Sequence, residues 1–506
     1  MFALLPVLKA WNRSGVRPTA AIRRACALAA AAAALCVLPA RAQPLPPSVQ
    51  AAVSRSGLPA DAFTVLVAPA RGSGAPLVSV RASEPVNPAS VIKMVTTYAA
   101  VDLLGPDFRW RTGFYADGPV ADGVLRGNLY IQGGGDPKWV MERIVEALAA
   151  VQAQGVAVVR GDLVLDQGAF ALPRVDPGAF DGEYLRPYNA TPEALLVNFK
   201  SLVLGLVPDA QAGVARVTFE PPLAGVQVDA TVPLTRGPCA DWRSGLQARF
   251  DDPNRVQLSG SYPLRCGERS WPVAYVAPEQ FAPRALEGLW RSVGGMLTGE
   301  VRLGAVPAHA RLLHEAWSLP LSDIVTDVNH FSNNVMAQQV FLTLGRLPPA
   351  SVGGSGAGPL VTPATPGGAR ERLAQWWHAR LGARWPAPVL VNGSGLSRDE
   401  RITAESLLAL LRHALQHPDG AAWLQSLPVA GVNGTAARMG ERGILKQALG
   451  NARIKTGSLR DVVSVAGYVS GPGGQQRAVV VIVNHPEATR GRAVLDAVLE
   501  WAATRP

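Results

Sequence analysis

Lysine is scarce in this chain. Of 48 basic residues among 506, only six are Lys and 42 are Arg. Arg does not give up its proton in a folded protein, so the few Lys are the only basic side chains that could serve as neutral amines. The seven His have no metal-ligand spacing, which argues against a metal centre and leaves no cofactor implied. None of the four Cys has a His partner motif, so a thiol nucleophile is not indicated. No Gly-x-Ser-x-Gly elbow lies between a strand and a helix, which disfavours a lipase-like esterase. Gly133 to Pro137 reads Gly-Gly-Gly-Asp-Pro and lacks the Lys-Ser/Thr ending of a phosphate loop. There is also no dense Lys/Arg run, so nucleic acid is not an expected partner.

What is present is globular in character. Hydrophobic residues make up 48% and charged residues 17%, and the length suits two or three domains with real cores. The net charge is +10; residues 1–42 supply six of the positive charges and no acid, which leaves +4 for the rest. A surplus of that size supports at most weak attraction to an anionic envelope polymer or peripheral membrane association. Residues 1–42 themselves read as a signal peptide: a basic start ending in Arg23-Arg24, an uncharged run from Ala25 to Leu38, and Ala40-Arg41-Ala42 as a small-x-small cleavage site. Export to a periplasm or cell envelope follows. Cleavage removes Cys26 and Cys36. Cys239 and Cys266 then stand in an oxidising compartment, either bridged or as two buried thiols.

Along the chain, "FTVLVAPA" and "PLVSVRA" read as strands, and "NPASVIKMVTTYAAVDLLG" (87–105) as a helix apolar on nearly every face and stopped by Gly105-Pro106. From about 111 to 300 the texture is one of short β-type runs. Helical periodicity returns in "LSDIVTDVNHFSNNVMAQQVFLTLG" (321–345), with Ser332–Asn334 inside it. The end reads as two strands, Val462–Val469 and Arg477–Val483, followed by a helix.

Three motifs carry chemistry. Ser90 and Lys93 form a Ser-x-x-Lys at i, i+3 on one helical face, so the amine reaches the hydroxyl. Burial and the positive helix end favour an uncharged Lys93, a role closed to Arg. Ser332 and Asn334 form a Ser-x-Asn, and Lys455-Thr456-Gly457, followed by Ser458, begins a strand hairpin. Each motif alone is common by chance, but the ordered set uses two of the six lysines.

In this order the motifs resemble those of the class C low-molecular-mass penicillin-binding proteins, the D-alanyl-D-alanine carboxypeptidase/endopeptidase group of peptidase family S13. The resemblance extends to "LLGPDFRWRT", "IQGGGDP", "GDLVLDQGAF", "YNATPEALLVNF", "NHFSNNVMAQQV", "NGSGLSR" and "GVNGT". It implies an α/β (α+β) penicilloyl-serine transferase core, an antiparallel sheet flanked by helices, with two β-rich domains inserted between the first and second motifs. The expected division is 43–110 with 306–506 for the catalytic domain, 111–200 with 275–305 for one insertion, and 201–274 for the other. It further implies attack by Ser90 on peptidoglycan stem peptides with Lys93 as base, proton relay through Ser332 and Lys455, and amide binding by Asn334. Thr456, Gly457 and Ser458 would hold the substrate carboxylate and oxyanion, and β-lactams would acylate Ser90. A side-chain pocket made in the family by an Asp, a Phe and an Arg maps by pattern to Asp166, Phe170 and Arg398. The family commonly has Asp where this chain has Asn392 and Asn433, and a small residue where it has Arg460-Asp461. Rival readings are a β-lactamase and a non-catalytic peptidoglycan-binding envelope protein.

Overall fold

The computed structural model describes residues 45–348, 360 and 363–505. The expected signal peptide and much of the Gly/Pro-rich stretch after Pro348 lie outside them. The described chain opens with helix α1, Pro47–Ser56, which starts on a proline and ends at Gly57 in the left-handed conformation. Strands β1 (Phe63–Pro69) and β2 (Val78–Val80) follow. A 3-10 turn, Ala89–Ile92, then runs directly into helix α2, Lys93–Leu104. Every residue of α2 is buried, as its all-round apolar pattern requires.

The next part of the chain is β-rich. Strands β3 (Arg111–Ala116) and β4 (Leu129–Gln132), helix α3 (Met141–Ala153) and strand β5 (Leu163–Asp166) come first. Strands β6 (Ser201–Asp209), β7 (Val214–Glu220), β8 (Thr231–Thr235), β9 (Tyr262–Pro263) and β10 (Arg269–Ala274) follow. Helix α4 (Pro278–Ser292) and strands β11 (Val301–Leu303) and β12 (Arg311–Trp317) lead back. Two five-stranded sheets result, in the orders β11-β5-β4-β3-β12 and β9-β8-β7-β6-β10. Cys239 and Cys266 are disulfide-bonded, with Cα atoms 4.9 Å apart. The closed loop spans 27 positions. Its constraint on the unfolded chain is worth about 3 kcal/mol. Replacing both cysteines with Ser is therefore expected to lower the urea midpoint, read by tryptophan fluorescence; an unmoved midpoint would show that the bridge constrains nothing.

The C-terminal part supplies helices α5 (Leu321–Phe331), α6 (Asn334–Leu344), α7 (Pro366–Leu381) and α8 (Ala404–Ala414). Strands β13 (Ala452–Leu459), β14 (Val462–Ser470) and β15 (Gln476–Asn484) and helix α9 (Arg492–Thr504) complete it. These strands join the N-terminal pair in an antiparallel sheet of order β2-β1-β15-β14-β13. Along β1 the residues alternate between two cores. Val65 and Val67 pack with Val49, Val53, Val494 and Val498 of α1 and α9, while Leu66 joins the cluster of α2 and α6. With both faces covered, β15 carries the unbroken run Ala478-Val479-Val480-Val481-Ile482-Val483 rather than a polar alternation.

One expectation needs correction. The periodicity over 321–345 continues across two helices, and Ser332–Asn334 lies at their junction rather than inside one helix. Ser332 takes the left-handed conformation, φ 54°, and ends α5. The Asn333 side chain accepts from Met336 N at 3.1 Å and caps α6.

Candidate active site

The site begins at a strained turn. Ala89 has φ 47°, a conformation that residues with a Cβ rarely adopt, and neighbours hold it there. Asn87 Oδ1 accepts from Ala89 N at 2.9 Å, and Ser464 of β14 donates to Pro88 O at 2.7 Å. The next residue in this turn is Ser90, whose Oγ lies 3.0 Å from Lys93 Nζ. Lys93 is wholly buried. Its Nζ also faces Asn334 Oδ1 at 2.7 Å and the carbonyl oxygen of Ser394. A neutral amine has two N–H groups and one lone pair. The Asn334 and Ser394 oxygens can take both N–H groups, which leaves the lone pair for the Ser90 hydroxyl. Burial, and then the positive charge of Lys455, hold the Lys93 ammonium well below the ordinary lysine range.

The other two motifs converge on the same place. Lys455, on β13 and wholly buried, donates to Ser332 Oγ at 2.8 Å and to Thr456 O at 2.8 Å. Burial lowers it to about 7. Asn334, at the start of α6, accepts from Lys93 and donates to Tyr188 O at 3.0 Å. Thr456 Oγ1 meets Thr435 Oγ1 at 2.7 Å. Strand β13 is the last in its sheet, and Ser458 on it is exposed. Glycine is demanded at 457 by close approach: a Cβ there would lie 2.8 Å from Pro88 O and 3.0 Å from Ser90 N. Ser90, Lys93 and Asn334 thus form one hydrogen-bonded group and Ser332 with Lys455 a second, and the charge of Lys455 acts on Lys93 between them.

The loop Asn392–Leu396 closes the site from behind. Gly395 has φ +84°, and a Cβ on it would meet Ala89 O at 2.3 Å. The Asn392 side chain accepts from Ser394 N at 2.9 Å and donates to Leu396 O at 2.9 Å. Asn433 Oδ1 accepts from Val429 N at 2.8 Å. Neutral amides therefore brace both loops. Asp461 is ion-paired with Arg398, which accounts for an acid in the β13–β14 turn.

Asp166, Phe170 and Arg398 are not joined by any contact among the described residues. Asp166 accepts from Gln132 Nε2 at 3.0 Å, Gly168 N at 2.8 Å and Val306 N at 3.2 Å. Phe170 is a core residue over Gly135. The Arg398 guanidinium instead lies 4.8 Å from the Phe180 ring centroid. Next to Phe180, Asp181 accepts from Tyr188 Oη at 2.8 Å and from Asn189 Nδ2 at 2.8 Å. Burial works against the Asp181 charge, but these donors, Glu183 N–H and the nearby Arg398 hold its carboxyl below the usual range. Residues 172–186 contain no helix or strand, so periodicity gave no signal for them. The pattern Asp-x-x-x-Phe from the end of β5 drew the expectation to Asp166 and Phe170, whereas the contacts of Arg398 are with Asp461 and Phe180.

Comparison with known proteins agrees with this geometry. The family described as "D-Ala-D-Ala carboxypeptidase 3 (S13) family" matches residues 47–505. A D-alanyl-D-alanine carboxypeptidase of Actinomadura sp. is 31% identical over 447 residues, covering 84% of this chain and 78% of its own. The D-alanyl-D-alanine carboxypeptidase DacB of Haemophilus influenzae is 26% identical over 400 residues, covering 78% and 80%. The crystal structure of penicillin-binding protein 4 from Haemophilus influenzae superposes with a TM-score of 0.69 at 23% identity, over 89% of this chain and 99% of that one. The α/β core with β-rich insertions is therefore shared with that protein. From a match that spans nearly all the described residues, the chain belongs to the D-Ala-D-Ala carboxypeptidase 3 (S13) family of peptidases.

Proposed function

We propose that this protein is a serine D-alanyl-D-alanine carboxypeptidase/endopeptidase that acts on peptidoglycan stem peptides in the cell envelope and is trapped by β-lactams. The observation that carries the reading is Lys93 Nζ, 3.0 Å from Ser90 Oγ, with two carbonyl-type oxygens to take its N–H groups. Lys93 accepts the Ser90 proton as Oγ attacks the carbonyl between two terminal D-Ala residues. The N–H groups of Ser90 and Ser458 stabilise the oxyanion, and Ser332, aided by Lys455, passes a proton to the departing D-Ala. Asn334 binds the substrate amide. Thr456 and Ser458, with the charge of Lys455, receive the terminal carboxylate across the glycine surface at Gly457. Water then releases the acyl group. Asp181, Tyr188 and Arg398 form the pocket for the side chain of the stem peptide.

The domain division follows the sheets: a catalytic domain from both ends of the chain and insertions between them, with the return drawn after Trp317 because β12 pairs with β3. Among the described residues no helix is long and apolar enough to cross a membrane. The signal peptide at 1–42 stays part of the proposal.

The test uses the wild-type chain with a stem pentapeptide and, separately, a labelled penicillin. Release of D-Ala and a lasting adduct on the peptide containing Ser90 support the reading. Rapid destruction of the penicillin without D-Ala release would identify a β-lactamase, and inertness towards both would leave the envelope-binding role. A pH profile gives a further check. Lys93 acts only once deprotonated, whereas Lys455 binds a carboxylate best while protonated and titrates at about 7. The kcat/KM profile is therefore expected to be bell-shaped with its alkaline limb near 7. In Lys455→Arg the rate falls overall, but that limb disappears because Arg stays charged; a limb that persists would assign it to another group.

A further inference from the structure

Behind Lys93 lies a carboxylate that the mechanism does not use. Glu400 is fully buried. Its Oε1 accepts three successive backbone N–H groups, from Val391 at 3.1 Å, Asn392 at 3.1 Å and Gly393 at 2.9 Å. Its Oε2 is buried with no hydrogen-bond partner among the described residues. A single oxygen holding three amides fixes the backbone orientation of the segment, and the next carbonyls point at helix α2. Thr96 Oγ1 donates to Gly393 O at 2.7 Å, and Lys93, one turn earlier on the same face, donates to Ser394 O. The loop is therefore pinned between the Glu400 carboxylate on one side and the catalytic helix on the other.

We infer that Glu400 is a positioning residue for the acylation step: by fixing the 391–394 backbone it aims the Ser394 carbonyl at Lys93 and so turns the Lys93 lone pair towards Ser90. Without the carboxylate, the loop amides lose their acceptor and the Ser394 carbonyl is free to swing. The Lys93 amine then distributes its two N–H groups differently, and the lone pair no longer meets the Ser90 proton. The carboxylate also sets the field at the site. Lys455 and Glu400 are the charged groups that act on Lys93, with opposite signs. The inference rests on the assignment of Ser90 as nucleophile and Lys93 as its base.

The test compares wild type, Glu400→Gln and Glu400→Ala. The second-order rate of penicillin acylation is measured from pH 5 to 9, alongside thermal melting. Gln keeps an oxygen acceptor for the loop but no charge; Ala keeps neither. Folded E400Q is expected to acylate about tenfold more slowly and E400A about a hundredfold. In E400Q the acid limb of the profile is expected to move to lower pH, because Lys93 is then left facing only the positive Lys455. Folded E400Q that acylates at the wild-type rate, with its acid limb unmoved, would overturn the inference, whatever its melting temperature. Should E400A fail to fold, E400Q alone decides. Wild type run in parallel separates the two levels: absence of a Ser90 adduct there removes the base assignment and the inference together, whereas an equal adduct in wild type and E400Q removes the inference alone.

Discussion

Replacing Ser90 with Ala is expected to eliminate the penicillin adduct and to lower D-Ala release by roughly a millionfold. The size of the loss follows from the arrangement. Every other group at the centre acts on the Ser90 oxygen or on the carbonyl it attacks, and none offers a second nucleophile in the same position. Lys455 is bonded to Ser332, and Asn334 is an amide. The measurement is the peptide mass of the adduct, with D-Ala quantified from a stem pentapeptide. Adduct formation on Ser332 in the S90A protein would sink the assignment, since that is the other hydroxyl at this centre that meets a catalytic lysine. The fold is not expected to change, because Ser90 is partly exposed and among the described residues its Oγ is bonded only to Lys93.

The second large effect is expected at Lys93. Lys93→Arg places a permanently charged guanidinium with donors and no lone pair where a proton acceptor is needed. Acylation is expected to fall by about three orders of magnitude, the range for loss of a general base together with its geometry. Arg is also bulky for a wholly buried position, so Lys93→Met serves as the companion: neutral, similar in length and compatible with burial. Both variants are expected to lose acylation, and only the Arg variant to lose stability. K93M that acylates within tenfold of wild type would transfer the base role to Lys455.

Much of this centre was legible because its parts are local. A Ser and a Lys three residues apart report their geometry as soon as the segment is helical, and the burial of α2 is written in its all-round apolar pattern. The valine run of β15 likewise announced a strand. The rest was hidden for identifiable reasons. A Glu that binds three loop amides has the same letter as a Glu in water, and nothing in "SRDERI" separates Glu400 from Asp399. The Ser394 contribution comes from a carbonyl, which every residue possesses. Asp181 and Tyr188 lie in or beside a segment without regular structure, where neither helix nor strand period applies, while Asp166 ends a strand with a clear pattern and drew attention to Phe170 four residues on. The helix break at Ser332 was signalled only by Asn333, a capping residue inside an otherwise continuous periodic stretch.

The pairing of β1 with β15 joins residues more than 400 positions apart, Phe63 to Val483. A chain made from its N-terminus presents Ser90 and Lys93 early, yet β1 has no partner on that side until nearly the whole sequence has emerged. Until then the fully apolar α2 has only part of its cover, and the edge of β1 is open to any strand that meets it. Loss of the final thirty residues would remove nearly all of β15 and the whole of α9, so a chain stopped there would carry an intact Ser-x-x-Lys turn with its β13–β14 brace cut off from β1. Activity thus arrives late in the life of each molecule, at the moment its last strand is laid beside its first.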